Sequence, residues 1–100
     1  MININEIGLH QDVDTIWKYQ FTIVDVNGDL VADSSLVVRE TTPAGVIVDH
    51  TLISGGTIVT ATTPAGTYNI DATVDEKGEW LFRIISSFGD THTILVPVFN

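Results

Sequence analysis

Large apolar side chains alternate with polar ones at a period of two in four places along this chain. The clearest is Trp17-Lys18-Tyr19-Gln20-Phe21-Thr22-Ile23; Tyr68, Ile70, Ala72 and Val74 repeat the pattern, as do Trp80, Phe82 and Ile84, and then Ile94, Val96 and Val98. Successive side chains of a strand point to opposite faces, so each run predicts a strand with one face buried and one in water. In the second run the water-facing set is Thr67, Asn69, Asp71 and Thr73. Less regular runs at 5–10, 36–41, 46–52 and 57–61 predict further strands.

Turn signals separate these runs: Asn27-Gly28, Thr42-Pro43-Ala44-Gly45, Ser54-Gly55-Gly56, Thr63-Pro64-Ala65-Gly66, Glu76-Lys77-Gly78 and Phe88-Gly89-Asp90. Proline presets φ at the second turn position and glycine takes the left-handed conformation that closes a hairpin. The pentapeptide Thr-Thr-Pro-Ala-Gly occurs at both 41–45 and 62–66, but the residues after each copy differ, so it reads as one turn solution used twice. About seven short strands in about 100 residues predict an all-β, antiparallel sandwich occupying 1–100 as a single domain. A small closed barrel is the competing architecture. The one-sided strands favour two sheets that share a core and show their outer faces to solvent.

Composition agrees with strands: 37 of the 100 residues are Val, Ile or Thr, stiff at χ1 and suited to a pleated surface. Charge narrows the partners. Thirteen acids against four bases give a net charge of −9; affinity for nucleic acid or anionic membrane comes from Lys and Arg neutralising phosphates, so neither is an expected partner. The chain has no cysteine, hence no disulfide framework, thiolate zinc site or thiol nucleophile. No apolar run approaches the ~18 residues of a membrane span, and residues 1–10 lack the basic and apolar regions of an export signal, so folding in the cytoplasm is expected.

Catalytic and metal chemistry find little to stand on. Asp25-x-Asn27-Gly28-Asp29 is rich in oxygen ligands of the kind Ca²⁺ takes, but glycine falls at the fourth position and no bidentate acid follows at the twelfth; an Asx turn uses the same three residues, Asp25, Asn27 and Asp29, for backbone hydrogen bonds. His10, His50 and His92 are scattered, Ser34-Ser35 and Ser86-Ser87 lack a nucleophile-elbow context, and Ser54-Gly55-Gly56-Thr57 has no lysine nearby. The expectation is a non-enzymatic protein with no cofactor.

The stretch Ala65-Gly-Thr-Tyr-Asn-Ile-Asp-Ala-Thr-Val-Asp-Glu-Lys-Gly-Glu-Trp-Leu-Phe-Arg-Ile84 resembles immunoglobulin-like modules of bacterial surface proteins and of tailed-phage virion proteins, in which a Gly-x-Tyr strand runs to an acidic turn and then Gly-x-Trp. The segment 27–38 resembles the loop and strand that precede it there. The resemblance implies an immunoglobulin-like fold and, for an acidic, cysteine-free module, a virion structural role: a capsid decoration or cement protein, with neck or tail position, or a carbohydrate-binding or adhesive module, as alternatives. The implied partners are other virion proteins, including the major capsid protein, with further copies of itself on the particle, and assembly in the host cytoplasm. Two features suit docking. If Trp80 and Ile94 face the core, then Leu81, Arg83, Ile85, Leu95 and Phe99 share the outer face, an apolar patch rimmed by Arg83; a one-residue slip would exchange the faces. The ends, 1–5 and 97–100, are apolar enough to act as extended arms that add a strand to a neighbour's sheet.

Overall fold

The computed structural model describes residues 2–4, 11–52 and 59–99. Among them lie nine strands: β1 (Ile2–Ile4), β2 (Gln11–Asp12), β3 (Thr15–Ile23), β4 (Val37–Thr41), β5 (Ile47–Thr51), β6 (Val59–Thr62), β7 (Thr67–Val74), β8 (Gly78–Ile85) and β9 (Thr91–Phe99). They form two sheets, in the order β1-β3-β7-β6 (sheet A) and β2-β9-β8-β4-β5 (sheet B). The seven strands of four residues or more are antiparallel to their neighbours; only the short β2 runs parallel, to β9. This order is compatible with an immunoglobulin-like sandwich, in which strands A, B, E and D face G, F and C. The predicted 5–10 strand and the Ser54 to Thr57 turn lie outside the described residues.

Alternation fixes which faces meet. Trp17, Phe21 and Ile23 of β3, Tyr68, Ile70, Ala72 and Val74 of β7, and Phe82, Ile84, Val96 and Val98 of β8 and β9 are all buried. The layers are joined across the middle by Trp17 of sheet A stacking on Phe82 of sheet B, their ring centroids 4.5 Å apart; such pairs contribute ~1 kcal/mol beyond the area they bury. The indole N–H of Trp80 donates to the Glu76 carbonyl at 2.8 Å, so its polar atom is satisfied at the core margin. A radius of gyration of 13.3 Å is the ~13 Å of a compact 100-residue domain.

Two sequence expectations change. Thr67, assigned to the water-facing side of β7, is buried: it begins the strand beneath the 63–66 turn, where its N–H donates to the Pro64 carbonyl, and the turn covers it. The proposed arms are in ladders. Ile2–Ile4 pairs antiparallel with β3, and Pro97 and Val98 pair with Glu79 and Gly78 of β8, while the Phe99 carbonyl accepts from Val13 N at 2.7 Å. Both segments therefore pair within the domain, and among the described residues β1 is the edge strand of sheet A, so its outer edge can still add to a neighbour's sheet; Met1, Asn5 and Asn100 lie outside the described residues.

Both Thr-Thr-Pro-Ala-Gly copies close hairpins, one in each sheet: the first links β4 to β5 and the second, with a cis Thr63-Pro64 bond, links β6 to β7. Gly45 and Gly66 take φ of +90° and +96°, values that L side chains adopt only with strain.

Candidate functional site: the outer face of sheet B

The outer faces of the two sheets differ in chemistry. Along sheet A, Lys18 lies opposite Asp71, Gln20 opposite Asn69 and Thr22 opposite Thr67, and the Gln20 amide donates to Asn69 at 3.2 Å. These positions are polar, with Ile16, 55% exposed and opposite Thr73, the apolar residue at one end of the face. On sheet B the register is unbroken from Gly78 opposite Val98 to Ile85 opposite Thr91, so no bulge exchanges the faces.

The five residues anticipated from sequence share this face as a strip. Leu81 lies directly across from Leu95, Arg83 across from Thr93 and Ile85 across from Thr91. Leu95 and Phe99 are about half exposed, at 47% and 49%; Leu81 and Ile85 are half-buried, and Arg83 is exposed. Arg83 stands within the strip, between Ile85 and Leu81, rather than at its rim. Phe99 lies at the far end from Ile85, four residues beyond Leu95.

Two further strands, not anticipated as part of the face, widen it. The register continues from Arg83 to Arg39 and on to Asp49, and from Leu81 to Thr41 and Ile47. The alternation Val37-x-Arg39-x-Thr41 carried the signal, but nothing in it says that β4 is the neighbour of β8. Ile47 is 61% exposed. Arg39, Thr41, Leu81, Arg83 and Thr93 line a shallow depression of about 260 Å³ in the middle of this face.

Its electrostatics are lopsided. Arg39 and Asp49 form a two-pronged pair, Nε to Oδ1 at 2.8 Å and Nη2 to Oδ2 at 3.2 Å. The Arg39 hydrogen bond holds the Asp49 carboxyl below its ordinary value, and Asp49 raises Arg39 in turn. Both are well exposed, so the pair adds little stability and mainly fixes direction. Arg83, directly opposite Arg39 by register, has no carboxylate partner among the described residues. Like charges facing each other across strands are unfavourable, and Asp49 is already engaged.

The other candidates serve the fold. The Asp25 carboxylate accepts from Asn27 N at 2.9 Å and Asp29 N at 3.1 Å through one oxygen; this is an Asx turn. Among the described residues, no three His, Asp or Glu side chains gather to hold a metal. Ser86 and Ser87 donate their hydroxyls to Asp33 at 3.0 and 2.6 Å. His50 lies across from Val38, its Nε2 3.7 Å from Glu40 Oε1 at the core margin. Burial pushes Glu40 above its ordinary value, the neighbouring His50 pulls it down and Asp75 pushes it up again. His92 is on β9 opposite Ile84, and His10 lies outside the described residues.

Asp33, which sequence reasoning passed over, is the polar hub of one end of the sandwich. Its carboxylate also accepts from Ser87 N at 2.8 Å and Ser35 N at 3.1 Å, while its own N–H donates to the Tyr68 hydroxyl at 2.7 Å. Burial pushes this carboxyl up, but the bonds from Ser87, Ser86 and Ser35 prevail and hold it below its ordinary value. No family model matches this chain, and no curated protein matches it.

Proposed function

We propose that the protein is a non-enzymatic structural component of a tailed-phage virion, a decoration or cement protein that docks on the capsid shell through the outer face of sheet B. One observation carries the docking surface: exposed Leu95, Phe99 and Ile47 share a face with Arg83, a cation with no carboxylate partner among the described residues of a chain of net charge −9. Exposed apolar area around a charge is the composition of a recognition face. The virion assignment draws on the resemblance of the 65–84 hairpin and on a strand order compatible with it. The sheet face supplies the main contact, with the open edge of β1 as a further one, and many copies with modest interfaces would stabilise a shell by avidity. An adhesive or carbohydrate-binding role is less well served, because both tryptophans are buried and cannot form a stacking platform.

The test is a Leu95→Ser/Phe99→Ser double variant. Both side chains are half exposed, so the fold should persist. Loss of particle binding is the expected outcome; unchanged binding and unchanged oligomeric state would remove this face from consideration. Copy number per purified particle then separates positions: hundreds fit decoration, on the order of a dozen fits a neck ring, and none ends the virion reading.

A further inference from the structure

At the end of the sandwich that carries Asp33, two turns stand side by side and enclose an apolar cleft. Val24, Val26, Val31 and Phe88 line it, with Asp25 and Asp90, and its volume is about 420 Å³. Val26 is 96% exposed and Phe88 57% exposed. Neither lies in a strand, so no ladder places them outward; they are apolar residues at the tips of turns.

The turns are held in place. One is closed by Asp25 N donating to Asp29 O at 2.9 Å and by the Asp25 carboxylate. The other is closed by Ser86 N donating to Asp90 O at 2.9 Å. A relay ties Phe88 to the interior: the Ser86 hydroxyl donates to buried Asp33 and accepts from Phe88 N at 3.1 Å. A cleft ordered before its occupant arrives avoids much of the conformational cost of binding.

Charge selects the occupant. Among the described residues, the connections 24–36, 63–66 and 86–90 at this end contain four aspartates and no Lys or Arg. The chain's cations are elsewhere: Lys18 in β3, Arg39 in β4, Arg83 in β8, and Lys77 in the turn at the opposite end. We propose that this cleft receives a segment of a partner protein that places an Arg or Lys beside a large aliphatic or aromatic side chain. The apolar part would cover Val26 and Phe88 while the cation meets Asp25 and Asp90. A second copy is a poor occupant, since two chains of net charge −9 repel and their arginines lie within a sheet face. This surface is separate from the outer face of sheet B, so failure here leaves that reading standing.

The experiment is an NMR titration of the isotope-labelled full chain with acetyl-Leu-Arg-Leu-Arg-amide and, separately, acetyl-Leu-Glu-Leu-Glu-amide. The basic peptide should shift amides at 24–30 and 86–90, and binding should weaken several-fold when NaCl rises from about 50 to about 200 mM. A Val26→Lys variant, whose side chain touches solvent almost everywhere, should fold unchanged and weaken binding about tenfold or more. No shift at millimolar basic peptide, an equal response to the acidic peptide, shifts confined to the sheet B face, or full binding by Val26→Lys would each overturn the proposal.

Discussion

Asp33 shows how one buried charge can organise a loop region without ion pairing. Its two oxygens accept from Ser35, Ser86 and Ser87, and hydrogen bonds to a charged acceptor contribute about 1.5–3 kcal/mol each when deleted. An Asp33→Asn variant presents an NH₂ group where one oxygen accepted the Ser87 amide, so donor meets donor. We expect a loss of about 2 kcal/mol and a Tm lower by roughly 10 °C, read by thermal unfolding at neutral pH. An unchanged Tm would mean that the network is decorative. The hub was not legible in the sequence, where Asp33-Ser34-Ser35 reads as a local turn, because its main partners lie more than fifty positions away.

The strands, by contrast, were legible wherever one face is buried. Trp17 to Ile23 and Tyr68 to Val74 alternate because water on one side and a core on the other impose a period of two. At β5 the signal fades: Val46, Ile47 and Val48 are consecutive, apolar and exposed, since β5 is the last strand of sheet B and only β4 pairs with it among the described residues. Candidate site residues on one hairpin could be read from register, whereas the β4 and β5 half of the face required the sheet order. The twin pentapeptides offer an internal control at this scale. A Cβ on Gly45 would meet nothing within 4 Å, but on Gly66 it would lie 3.0 Å from both N and O of Val31. Gly45→Ala should therefore cost about 1–2 kcal/mol, the left-handed backbone penalty alone. Gly66→Ala should cost more, because backbone cannot move aside as a side chain can. Equal losses in urea unfolding would contradict this account.

For the whole molecule, nine acids beyond those that four bases can match make self-repulsion a term in stability. Added NaCl should raise the urea midpoint at pH 7 by screening it; a fall would mean that favourable ion pairs outweigh the repulsion. The pH profile follows from carboxyls shifted in opposite directions, with solvent-exposed Asp49 lowered in the same sense as Asp33. Glu40, raised above its ordinary 4.5, contributes stability that is complete below that value and lost as pH rises through its higher folded value. Asp33, lowered below its ordinary 3.8, contributes stability that is present above that value and lost as pH falls through its lower folded one. Stability should therefore increase from neutral to mildly acid pH and collapse only in stronger acid. The Glu40→Gln variant should flatten the first rise and leave the acid collapse in place.

The two short strands at the start of the chain have a mechanical consequence. β1 joins sheet A beside the end of β3, and β2 joins sheet B parallel to the end of β9, so residues 2–4 hold to one layer and 11–12 to the other. Ile2 thus lies beside Ile23 at one end of the sandwich, and Val98 beside Gly78 at the other. A pull applied between Gln11 and Phe99 would slide β2 past β9 along their length, loading the bonds that join them together instead of peeling them singly. Stretched between these two strands, the module is expected to resist in shear.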